Sequence, residues 1–160
     1  MLSVTLLCVG RMREAYYMEA FAEDAKRLGA FCRLAVTELP EQRLPERPAA
    51  SEIDAALEKE AREILRLIPK GAATVALCVE GERMTSPELA RRLADFTARG
   101  GSRLCFVVGG SYGLHPSVKR AAALRLSMSD LTFPHHLARV MLIEQLYRAF
   151  TINAGARYHK

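Results

Sequence analysis

Short apolar runs alternate with segments whose apolar residues recur every three or four positions, and that order leaves few folds open to the chain. Leu2–Val9 is apolar and rich in β-branched residues, and it ends on Gly10. Residues 14–28 then place Ala15, Met18, Phe21, Ala22, Ala25 and Leu28 on one helical stripe, stopped by Gly29. Phe31–Leu39 reads as a second strand. Ser51 is the expected cap of the next helix, with Asp54 three residues on and a stripe of Ile53, Leu57, Ala61, Ile64 and Ile68. Ala73–Val79 is the third strand. Thr85 and Glu88 form a capping box for a helix that buries Leu89, Leu93 and Phe96 and ends at Gly100-Gly101. Arg103–Val108 is the fourth strand. The order β-α-β-α-β-α-β predicts an α/β fold, a mostly parallel sheet flanked by helices. Ligands of such sheets bind beyond the carboxyl ends of the strands, and three of these ends carry glycine: Gly10, Gly81 and the pair Gly109-Gly110.

One domain over residues 1–160 suits the length. The stretch PEQRLPERPAA, residues 40–50, holds three prolines among its charges. It reads as an exposed, mobile loop with no bearing on chemistry, and not as a domain boundary, since 39 residues are too few for a core of their own. Residues 116–126 read as a further helix, followed by SMSDLTFPHH and a last helix over Leu137–Phe150. That helix is apolar nearly all round, so it is either central to the core or half of a subunit interface.

No run is long and apolar enough to span a bilayer. The first apolar run has no basic stretch ahead of it, so it reads as a strand rather than a secretory signal, and a cytoplasmic protein is expected. Cys8, Cys32, Cys78 and Cys105 form no CxxC pair and do not cluster with the four histidines, so reduced cysteines and no metal are expected. The formal net charge is +5, and eighteen of the 23 basic residues are arginines. Arginine suits bidentate contact with phosphate, which admits an RNA or nucleotide partner without demanding one.

Four places are candidates for chemistry. GGSYG, Gly109–Gly113, is either a tight turn or a backbone that a ligand approaches closely. It is neither GxGxxG nor a P-loop, which disfavours ATP or NAD. SDLTFP, Ser129–Pro134, is either a short strand and helix start, with Thr132 as cap and Pro134 in the first turn, or an apolar slot for an adenine ring. His135, His136 and Arg139 group at the head of the last helix. The histidines can move protons or can be ordinary solvent-side residues, and Arg139 is a phosphate or carboxylate clamp. Tyr158-His159-Lys160 is either a frayed end or a group that stacks on a base.

The combination of GGSYG at 109–113, LTFPHHLARVMLIEQLYRA at 131–149 and the YHK end resembles the bacterial 23S rRNA (pseudouridine-N3) methyltransferases, small members of the SPOUT class, over essentially the whole chain. The resemblance implies a deep C-terminal trefoil knot and S-adenosylmethionine as methyl donor. It also implies a homodimer, and as substrate a pseudouridine in 23S rRNA of the large subunit or the assembled 70S ribosome. It places the cofactor at Leu77, Cys78 and Val79 running to Gly81, at Gly109, Gly110 and Gly113, and at Ser129, Asp130, Leu131, Thr132, Phe133 and Pro134. His135, Arg139, Tyr158 and His159 match positions for the pseudouridine and its phosphate. N3 must lose its proton as it attacks the methyl group, so His159 is the expected proton acceptor, with Arg139 or Arg157 stabilising the charge on the base. Two alternatives stay open: a non-catalytic ribosome- or RNA-binding protein, and a methyltransferase acting on tRNA. On this reading Gly109 and Gly110 are bare because a ligand lies against them. Gly110→Val is then expected to abolish S-adenosylmethionine binding in calorimetry while leaving the fold largely intact.

Overall fold

The computed structural model describes residues 1–99 and 101–160. In chain order the elements are β1 (Leu2–Val9), α1 (Ala15–Leu28), β2 (Cys32–Leu39), α2 (Ala50–Leu67), β3 (Ala73–Arg83), α3 (Ser86–Ala98), β4 (Arg103–Val108), α4 (Pro116–Ala121), β5 (Leu124–Ser127) and α5 (His135–Asn153). Successive side chains of a strand point to opposite faces. On β1, Val4, Leu6 and Cys8 enter one buried cluster while Leu7 and Val9 enter another. On β4, Leu104, Phe106 and Val108 go with the first set, Cys105 and Val107 with the second. Strands apolar on both faces must be covered on both, the usual setting of a parallel sheet. All four pairings are parallel, in the order β2-β1-β4-β3-β5. Leu28 of α1, Leu93 of α3, and Leu142, Ile143 and Leu146 of α5 cover one face. Ile64 of α2 and Val118 of α4 cover the other.

Several local expectations are corrected. The helix read over residues 116–126 stops at Ala121, and Leu124–Ser127 is a fifth strand. The three alanines at 121–123 favour a helix, but β3 offers an open edge. Ala123 N–H donates to Thr74 O at 2.8 Å to begin the pairing, and Leu124 and Leu126 are buried by it. α2 begins one residue before Ser51, because Glu52 accepts from the Ala49 N–H at 3.0 Å and supplies the cap. The Thr85–Glu88 capping box forms as expected. The expected stop for α3 falls in part on Gly100, which lies outside the described residues; the helix itself ends at Ala98. Pro134 occupies the N-cap position of α5 and no side chain caps that end, so Thr132 is not its cap.

The last helix serves the core along one side, where Leu142, Ile143, Leu146, Ala149 and Phe150 are buried between α1 and α3. Its head is fixed by a polar contact. Arg139 is 2% exposed; its Nη1 donates to Glu38 Oε2 at 2.5 Å and its Nη2 to Gly10 O at 2.9 Å. Glu38 also accepts from the Met12 N–H at 2.8 Å. One guanidinium thus joins the carboxyl ends of β1 and β2 to α5.

Replacing Glu38 with alanine leaves that guanidinium buried without its counter-charge. The carboxylate is 37% exposed, so the cost falls below that of a fully buried pair, about 2 kcal/mol by urea unfolding. Burial alone would raise the Glu38 carboxyl, but the hydrogen bonds from Met12 and Arg139 and the Arg139 charge outweigh it and hold it below the ordinary 4.5. A carboxyl lowered on folding adds stability above its unfolded value and loses that stability as pH falls through its folded value. Wild-type stability is therefore expected to fall below about pH 4.5, with a smaller loss in the alanine variant. Parallel pH profiles for the two proteins overturn the assignment.

Candidate active site

An interruption within β3 and the two loops beyond the carboxyl ends of β4 and β5 enclose a cleft of about 760 Å³, the size of a cofactor pocket. The first wall comes from an interruption in β3. Its pairing with β5 shifts register between Leu77 and Glu82, so residues 78–81 leave the ladder and their backbone groups have no strand partner. Leu77, Cys78 and Val79 line the cleft, joined by Glu80. Gly81 lies outside it. A Cβ there would come within 2.8 Å of the Arg125 and Leu126 backbone, so its bareness lets β3 rejoin β5.

The GGSYG segment forms the second wall. Gly113 N–H donates to Gly110 O at 3.1 Å, closing a tight turn, and Gly113 holds φ at 79°. The turn reading holds, and the same turn lines the cleft with Gly109, Gly110 and Gly113. The reason for the bare pair differs from the expectation. A Cβ on Gly109 would lie 2.5 Å from Gly113 O, and one on Gly110 would lie 2.5 Å from Glu41 Oε1. Backbone demands the glycine at 109, whereas at 110 the close neighbour is the end of the Glu41 side chain. Gly110→Val therefore displaces Glu41 before it tests any ligand.

Ser129, Leu131, Thr132, Phe133 and Pro134 make the third wall, shaped by Ser129 Oγ accepting from the Leu131 N–H at 3.0 Å. Asp130 is not part of the lining; it is exposed and pairs with Arg83 at 2.5 Å. Leu126, Met128 and Leu114 supply further apolar lining. Leu131, Val79 and Tyr112 are exposed at the cleft, 70%, 52% and 47% respectively, and form an apolar mouth.

Lys119 of α4 forms an ion pair with Glu80 in the lining. The hydrogen bond from Lys119 holds the Glu80 carboxyl below its usual range. Neither residue is picked out in the sequence, where 39 positions separate them. The one available signal was a lysine in the first helix after GGSYG.

His135 also lines the cleft. Burial lowers its pKa, and the neighbouring His136 and Arg139 lower it further against the opposing pull of Glu41 and Glu14. Its imidazole is neutral near pH 7 and can accept a proton. His136 turns inward and pairs through Nδ1 with Glu14 at 2.8 Å. Arg139 sits beneath the cleft in its pair with Glu38, which corrects its reading as a clamp at the mouth. Tyr158 and His159 lie elsewhere. Tyr158 Oη donates to Glu144 Oε1 at 3.1 Å, and its ring packs on Tyr147 and under Arg148. His159 Nδ1 is 3.3 Å from Arg148 Nη1. Thirteen residues separate Arg148 from His135, about 20 Å along α5. Within one chain the tail and the cleft stand apart. Among the described residues no group of three His, Cys, Asp or Glu could hold a metal ion, and no helix is long and apolar enough to cross a membrane.

The profile of a family described as predicted SPOUT methyltransferase matches residues 2–159. The chain is 45% identical over 160 residues to a ribosomal RNA large subunit methyltransferase H of Bifidobacterium animalis subsp. lactis, covering 99% of this chain and 100% of that protein. It is 44% identical to a protein of the same name from Moorella thermoacetica, over the full length of both. Among solved structures, a probable methyltransferase from Bordetella pertussis superposes with a TM-score of 0.57 at 16% identity, over 93% of this chain and 95% of that one. That likeness concerns the fold: a parallel sheet with helices on both sides.

The two glycines of the turn differ in what forbids a side chain. Gly109→Ala drives a Cβ into backbone that cannot move aside and is expected to cost about 3 kcal/mol. Gly113→Ala has open space around its Cβ and pays only for its positive φ, about 1 kcal/mol. Thermal unfolding of both variants reads the order, and equal losses contradict the packing argument.

Proposed function

The chain belongs to the SPOUT methyltransferase family, and from that premise we propose that it transfers a methyl group from S-adenosylmethionine to N3 of a pseudouridine in 23S rRNA of the large ribosomal subunit, acting on assembled ribosomes as a homodimer. The observation that carries the reading is the cleft: apolar side chains and backbone outside the strand ladder, gathered at the carboxyl edge of a parallel sheet. Eleven of the thirteen expected cofactor positions line it; Gly81 and Asp130 do not. The donor set fits the cofactor. Leu77, Leu126, Leu131 and Phe133 would take the adenine ring, the backbone of residues 78–80 its polar edge, and Glu80 with Lys119 the polar remainder. When bound, S-adenosylmethionine supplies a sulfonium methyl group, so most of what the protein contributes is placement. The segment from β5 to α5 is the part of the chain we assign to the trefoil knot.

The N3 proton needs an acceptor, and two imidazoles are available. His135 is in the cleft and neutral. His159, the expected acceptor, is about 20 Å away along α5 in its own chain. With Arg139 committed to Glu38, Arg157 of the exposed tail is left to stabilise charge on the base. His159 and Arg157 can act if a second copy brings its tail to this cleft. Support for a second copy comes from a groove of about 560 Å³ beside α5, lined by Met84, Met128, Val140 and Met141 together with Ser86, Glu144 and Gln145. The eighteen arginines suit a phosphate-rich partner.

Ribosomes from a strain lacking the gene, incubated with the protein and S-adenosylmethionine, are expected to gain one methyl on a pseudouridine of 23S rRNA by mass spectrometry. Micromolar cofactor binding without methyl gain sinks the catalytic reading and leaves a binding protein. A His159→Ala variant is expected to lose at least tenfold in rate. Mixing it with a cleft variant such as Lys119→Ala is expected to restore part of the activity, because one dimer site then keeps both an intact tail and an intact cleft.

A further inference from the structure

The loop over residues 40–50 was expected to lie outside the chemistry, yet its first two residues after Pro40 are each tied to a different wall of the molecule. Glu41 Oε1 accepts from the Ser111 N–H at 2.8 Å, inside the Gly110–Gly113 turn. The next residue, Gln42, donates its backbone N–H to Glu60 Oε2 at 2.8 Å. Glu60 is a buried carboxyl of α2, only 6% exposed. The second contact fixes the main chain beside Glu41, so that its side chain reaches the turn from a defined point. The loop is anchored where it passes the cleft.

The other oxygen of Glu41 faces a second element. A Cβ on Gly10 would lie 3.6 Å from Glu41 Oε2 and 3.4 Å from His135 Nε2. Gly10 holds φ at 93° where β1 ends, a conformation that favours glycine. The carboxylate therefore stands between the GGSYG turn, one wall of the cleft, and the head of α5, whose His135 also lines it. Gly110 is bare because Glu41 Oε1 occupies the space beside it. Ser111 is exposed, and among the described residues its N–H has Glu41 as its side-chain partner. A turn of glycines on the surface has little rigidity of its own.

We propose that Glu41 is a positioning residue: its carboxylate clasps the Ser111 amide, holds the GGSYG turn against His135, and so keeps the cofactor cleft in its binding shape before any ligand arrives. This rests on the cofactor assignment above and deepens it. The clasp acts through backbone geometry, and a hydrogen-bond acceptor is all it requires at this position. Glutamine preserves that acceptor and alanine removes it.

The test combines amide hydrogen exchange with calorimetry on the full chain, using S-adenosylhomocysteine as probe. In Glu41→Ala, exchange of the Ser111 amide is expected to speed at least tenfold while β1 and β4 keep their protection. The Kd for the probe is expected to rise about tenfold. Glu41→Gln is expected to restore both readouts to within threefold of wild type. Unchanged Ser111 exchange in the alanine variant overturns the clasp. Faster exchange with unchanged probe affinity overturns its role in binding. A glutamine variant as impaired as alanine overturns the hydrogen-bond account. If the wild-type protein binds no probe at all, the cofactor reading itself fails, and the exchange data still decide whether Glu41 holds the turn.

Discussion

The cleft depends on where the last helix begins, and a buried arginine decides that. Arg139 reaches from the second turn of α5 to Glu38 at the end of β2 and to the Gly10 carbonyl at the end of β1. A guanidinium so far from water is expensive unless its partners are in place, so α5 is held to one position relative to two strands. His135 lies one turn before Arg139 and is thereby presented to the cleft. The same contact explains the fate of the three polar residues at the head of the helix. His135 faces the cleft, His136 turns inward to Glu14, and Arg139 is spent on the scaffold.

Around this fixed point the walls are built by exclusion. At Gly81 the neighbour that forbids a side chain is the β5 backbone, at Gly109 it is Gly113, and at Gly110 it is Glu41. Each glycine allows two stretches of main chain, or a main chain and a carboxylate, to approach more closely than a Cβ permits. The surfaces so joined then face a common space. That is a different logic from a glycine loop wrapped on phosphate, and it leaves the cleft surface to the apolar side chains and to the backbone outside the ladder at residues 78–80.

Much of this was legible in the residues. The strands with both faces apolar, the stripes of α2 and α3 and the Thr85–Glu88 box depend on near neighbours in sequence, and they form as read, whereas of the stripe read on α1 Leu28 is buried and Met18 is 51% exposed. Misreadings cluster where a distant partner decides. Residues 124–127 follow three alanines and look helical until the free edge of β3 is beside them. Three prolines mark residues 40–50 as a loop correctly, but nothing in them announces that Glu41 meets a turn 70 positions away. Glu80 and Lys119 are ordinary charges until α4 places one against the other.

The sequence by itself determined the layers of this protein, its parallel sheet, the loops that carry the cleft and the family resemblance in GGSYG, LTFPHH and YHK. Those features are set by periodicity, turn chemistry and motif, all of which act over a few residues. Only the tertiary structure decided which side chains face the cleft and which brace it. Arg139 and Glu38 are 101 positions apart, and His136 and Glu14 are 122. Whether an arginine becomes a strut or a clamp depends on which carboxylate the fold delivers to it, and no local pattern encodes that pairing.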